Sequence, residues 1–166
     1  KKSISSITIW TEKHSFGAPH KETSFWRPKT REGADHSLPF CIAVALLDGN
    51  ITQQTFEEKR FLDKDIHELI DKISIEFDPV FSRMAPSIRS CRLKVIDENG
   101  VLHELERIWH ADDPARIADD ETINQKFLKN ATCHFSRKQA LNILANLTEI
   151  KHTTPAKKLI DIIALE

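Results

Sequence analysis

The chain has 166 residues, 40% apolar and 30% charged, which suits a folded domain able to bury a core without disulfide or metal staples. Lys and Arg number 24 against 25 Asp and Glu, a net charge of −1 that argues against a dedicated nucleic-acid binder with its basic excess. The longest apolar run, Phe40–Leu47, is far too short to span a bilayer, and no signal peptide is visible.

Three cysteines, Cys41, Cys91 and Cys133, lie far apart with no CxxC pair. They read as neutral thiols of a reducing compartment, so a cytoplasmic location is expected. The length fits a single domain over residues 1–166. The chain opens on Lys1-Lys2-Ser3 and enters strand-like sequence at once, without an initiator Met, so it reads as a piece of a longer polypeptide.

Residues 4–11 alternate around Ile7, Ile9 and Thr11 and predict a strand. Residues 12–35 contain Gly17, Pro19, Pro28 and Gly33 and predict a long irregular stretch. A helix follows from about 37 to 47. Asp35 or Ser37 can cap it, Pro39 fits its first turn and Gly49 its end. Its apolar residues run all the way round, which predicts burial on most sides. Thr52 opens a short polar helix to about Lys59. Asp63 opens another, with Ile66, Leu69, Ile70 and Ile73 on one face.

Residues 73–77 and 91–96 alternate as strands. Asn99-Gly100 predicts a two-residue hairpin turn, since both residues accept positive φ, and the returning strand runs from about Val101 to Trp109. The rest is helical. Asp119 and Asp120 lead a helix with Ile123, Phe127 and Ala131. Ser136 and Gln139 form a capping box ahead of Leu141, Leu144 and Leu147, and Thr154-Pro155 starts a last helix. This order is α+β: a small, mainly antiparallel sheet of about four strands packed with helices.

Asp35-His36-Ser37 holds the three residue types of a hydrolase triad, but adjacent residues cannot align nucleophile, base and orienting group. Two readings stand. The trio is a capped helix start, or His36 and nearby amides face an anionic ligand, where His can shuttle a proton. Lys21, Arg27, Lys29 and Arg31 surround Trp26 in the preceding loop. They form either a solvated loop or one wall of a polycarboxylate site. No two of the eight histidines have HxxxH spacing, so a metal site is not expected. His14 and His110 fall near strand ends, where sites open.

Residues 30–40, Thr-Arg-Glu-Gly-Ala-Asp-His-Ser-Leu-Pro-Phe, followed by Ala43-Val44-Ala45-Leu46-Leu47-Asp48-Gly49, resemble the hallmark of the MmgE/PrpD family. That family includes 2-methylcitrate dehydratase, an enzyme of propionate catabolism, cis-aconitate decarboxylase and iminodisuccinate epimerase. The opening strand, Asn50-Ile51-Thr52 with Phe56, and His110 with Pro114 and Lys126-Phe127 are similar to further stretches of it, over about residues 4–150. Trp109 stands where the family commonly has Gly.

The resemblance implies the C-terminal lid domain of a lyase that needs no metal or organic cofactor and acts on a small polycarboxylate. The main acid and base residues are expected in a large helical N-terminal domain and just ahead of the lid, so no catalytic residue is assigned in this chain. Arg31, Asp35, His36, Ser37, His14 and His110 are the candidates to border the cleft. The implied partners are that N-terminal domain, the substrate and a second copy in a homodimer. An exposed apolar patch is expected where the large domain docks. Apart from the resemblance, the same residues suit a stand-alone α+β module that binds a small ligand or a protein.

Overall fold

The computed structural model describes residues 4–13, 22–110, 117–151 and 153–164. The chain forms two compact units, 1–113 and 114–166.

The first unit is built on a four-stranded sheet of β1 (Ile4–Thr11), β2 (Ile73–Phe77), β3 (Ile88–Asp97) and β4 (Leu102–His110), in the order β2-β1-β3-β4. β1 and β2 are parallel; the other two pairings are antiparallel. A parallel neighbour needs a crossover. The crossover here is helical: α1 (Thr23–Trp26), α2 (Arg31–Asp35), α3 (Leu38–Asp48), α4 (Gln53–Glu57) and α5 (Lys64–Ile70). The segment expected to be irregular from 12 to 35 thus carries two short helices among its described residues. α6 (Pro79–Met84) follows β2 and is capped by Asp78, whose carboxylate accepts from the Val80 and Phe81 amides.

The sheet's alternation is in the expected register. Ile7 and Ile9 are fully buried and pack with Phe40, Ala43 and Val44 of α3 and Ile66, Leu69 and Ile70 of α5. α3 was expected to be buried on most sides. Instead one face is buried, while Ala45 and Leu46 are exposed. A uniformly apolar sequence does not tell which face a helix turns to its core. α3 ends as expected, at Gly49 in the left-handed conformation (φ 79°).

The hairpin differs by one residue. Ile96 pairs with Leu102, and Asp97 N–H donates to the Val101 carbonyl at 3.1 Å, so the loop has three residues, 98–100. Only Gly100 there has positive φ (78°). The Asp97 carboxylate accepts from the amides of Asn99 and Val101, both at 2.9 Å, which holds the longer loop.

Arg60 ties three elements together. It meets Asp48 at the end of α3 at 2.9 Å, Asp63 at 2.8 Å and Asp65 in the first turn of α5 at 2.6 Å. The hydrogen bonds from Arg60 hold the Asp65 carboxyl below its usual 3.8. A depressed carboxyl contributes stability above its unfolded pKa and loses it as pH falls through the folded one. Arg60→Met is therefore expected to lower Tm at pH 7, with the deficit shrinking as pH falls below about 3.8. Thermal melts of both proteins from pH 7 to pH 2.5 measure this; a deficit that grows on acidification counts against the network.

In the second unit, α7 (Asp120–Ala131), α8 (Arg137–Thr148) and α9 (Ala156–Ile163) pack in sequence order. Asp119 caps α7, Ser136 and Gln139 make the expected capping box, and Ala140 and Ile143 are buried. Among the described residues no helix is long and apolar enough to cross a membrane.

Candidate functional site

The junction between α2 and α3 is set by two hydroxyls. Thr30 caps α2 by accepting from the Gly33 amide at 3.1 Å. Ser37 caps α3 by accepting from the Phe40 amide at 3.2 Å. Asp35, the other capping candidate, instead closes α2. The Ser37 hydroxyl also donates to the Phe25 carbonyl in α1 at 2.5 Å. Ser37 is fully buried, so it turns inward and locks α1 to the start of α3. Any influence it has on a ligand passes through the backbone it holds.

Asp35 and His36 stand exposed on this junction. Asp35 is felt inside: burial, and then the Asp35 charge, push the Cys41 thiol up on the next helical turn. Burial also pushes the Cys91 thiol up. Both cysteines are thus held as neutral thiols. Arg31 is exposed, with its guanidinium 5.9 Å from the centre of the Phe56 ring. Arg27 is ion-paired to Asp71. Of the four basic residues around Trp26, Arg27 is therefore engaged with α5's end, Lys29 and Arg31 face solvent, and Lys21 lies outside the described residues.

His14 also lies outside the described residues. His110 is the last residue of β4, exposed and opposite Ile88. It stands at the sheet end where β1 finishes. The structure brings Arg31, Asp35, His36 and Ser37 together on one turn, by sequence proximity, and places His110 at a strand end. Among the described residues no three His, Cys, Asp or Glu side chains gather as metal ligands.

The sheet end contains a pair that sequence reading missed. Glu12, just past β1, is buried, and its Oε1 accepts from Arg89 Nη1 at 2.8 Å. On the face of the sheet away from α3, the Arg92 guanidinium lies 4.9 Å from the Trp10 ring centre and 5.7 Å from that of Phe81. It pairs there with Asp78 at 3.2 Å and Glu106 at 3.5 Å.

A four-stranded mixed sheet with a helical crossover, and an exposed Asp-His turn ahead of a Ser-capped apolar helix, define the class: an α+β domain with polar groups presented at a helix start. The family model of the MmgE/PrpD C-terminal domain matches residues 1–150, and the chain belongs to that family. No curated protein sequence matches it.

Proposed function

We propose that this domain is the lid of a cofactor-independent lyase resembling 2-methylcitrate dehydratase. The family match over residues 1–150 carries this reading. The reaction removes a proton α to a carboxylate and expels hydroxide from the neighbouring carbon, leaving a conjugated alkene. The acid and base belong to residues outside this chain. The lid contributes positioning and exclusion of water.

Two features support that role. Asp35, His36 and Arg31 stand exposed on a turn that Thr30 and Ser37 hold rigidly, as a cleft border requires. Secondly, β4 is left bare: all nine of its residues are exposed, including Leu105 and Trp109. The register puts these two on the same face as Leu93 and the buried Ile9. Such an apolar strip suits a domain that docks on a larger body, the enzyme's helical N-terminal region. The full-length enzyme is read as a homodimer.

A substrate screen on the full-length protein tests this, following loss of water, loss of carbon dioxide and change of stereochemistry. Dehydration of a small polycarboxylate without added metal or cofactor is expected. A protein inert to every polycarboxylate tried would overturn the reading.

A further inference from the structure

We infer that the outer edge of β4 pairs with β4 of a second copy of this chain; this rests on the homodimer reading above and names its contact. β4 is the last strand of the sheet, and among the described residues no strand pairs with its far side. It runs nine residues, Leu102–His110, in unbroken register with β3. Long open edges invite pairing, and proteins blunt them with Lys, Pro, bulges or short strands. β4 has none of these. The opposite edge, β2, has only five residues, and Pro79 follows close behind it. In an antiparallel ladder alternate residues bond to one neighbour, and those between them turn away. Val101 accepts from the Asp97 amide across the hairpin, so the odd-numbered residues of β4 bond to β3. Leu102, Glu104, Glu106 and Ile108 therefore turn their amides and carbonyls to the open edge.

Charge selects the register. Two copies of one strand, paired antiparallel about a two-fold axis, keep each side chain on its own face, so even-numbered residues meet even and odd meet odd. An alignment that joins more than half of β4 has its axis at one of residues 104–108. Like charges directly opposed repel. An axis at Glu104, Glu106 or Arg107 sets that residue against its own copy, and an axis at Leu105 sets Glu104 against Glu106 twice. Only the axis at Ile108 opposes no like charges. There Ile108, 47% exposed in the single chain, meets its own copy. Arg107 meets Trp109 as cation against ring, and Glu106 meets His110, each pair occurring twice. The sheet then runs on through both copies. Because the edge and not the face is used, the apolar strip of Leu105 and Trp109 stays available to the helical region.

The test is self-association of the full-length protein, measured by sedimentation velocity, which needs no turnover and does not depend on the dehydratase assay. Ile108→Lys puts two ammonium groups face to face on the axis and is expected to weaken dimerisation at least about tenfold. Ile108→Glu is expected to do the same with two carboxylates. An equimolar mixture of the two variants brings Lys opposite Glu and is expected to dimerise again, which a misfolded variant could not do. Leu102→Lys, at the end of the strand outside the paired residues, is expected to dimerise like wild type. A wild-type dimer that Ile108→Lys leaves intact would overturn the inference and keep the homodimer reading. A monomeric wild type would overturn both. Variants that stay monomeric when mixed, or loss of the dimer in Leu102→Lys, would overturn the two-fold contact at Ile108.

Discussion

Phe40→Ala is expected to destabilise the first unit by about 3–5 kcal/mol, the range for emptying a buried aromatic position. Phe40 is fully buried, and its ring lies 5.9 Å from that of Phe56 and 6.3 Å from that of Phe61. It holds α3 against α4 and against the turn carrying Arg60, so neighbouring backbone pinned from three directions cannot collapse into the cavity. All three tryptophans, Trp10, Trp26 and Trp109, lie in residues 1–113. Urea unfolding followed by tryptophan fluorescence therefore reports this unit alone. Leu46→Ala, on the exposed face of the same helix, is the control and is expected to cost less than about 1 kcal/mol. Equal losses in the two variants would mean that α3 is not packed through its Phe40 face.

Ser37→Ala is the second large effect. It removes a helix cap, typically about 1 kcal/mol. It also removes the Ser37 hydroxyl's bond to the buried Phe25 carbonyl, about 1–3 kcal/mol more. A total of about 2–4 kcal/mol is expected, in the same fluorescence experiment. The more telling readout is local. Amide hydrogen exchange in residues 25–36 should speed up in the variant, because α1 is no longer tied to the start of α3. The amides of α5, which do not meet Ser37, should keep their order of protection. Unchanged exchange in 25–36 would show that the junction is held by packing alone.

What could be read in the sequence follows from what is local. α3 was visible because an apolar run stands between a capping Ser37 and Gly49, and both signals act within one turn. β1 was visible from the alternation of Ile7, Ile9 and Thr11. α1 and α2 were not, because they have four and five residues, too few for a helical period to show. Tertiary contact holds them instead, through buried Phe25 and Ala34 and the Ser37 bond to α1. The Asn99-Gly100 pair announced a turn but not its length, which the Asp97 carboxylate fixes. Neither alternation nor capping could tell that β2 lies parallel to β1.

The candidate site divides in the same way. Arg31, Asp35 and His36 share a turn because they are neighbours in sequence, so a local motif finds them. Ser37 belongs to the same motif, yet its inward direction depends on where α1 lies. Glu12 and Arg89 are 77 residues apart and meet only because β1 and β3 are paired. No spacing rule reaches that far, and only the antiparallel register reveals it.

The most direct test of the lid assignment compares the full-length protein with this 166-residue chain alone, both given 2-methylcitrate, with the conjugated alkene followed by ultraviolet absorbance. Alkene formation by the full-length protein and none by the isolated chain is the expected result, since the proposed function puts the base outside this domain. Turnover by the isolated chain would contradict it and place the base among these residues.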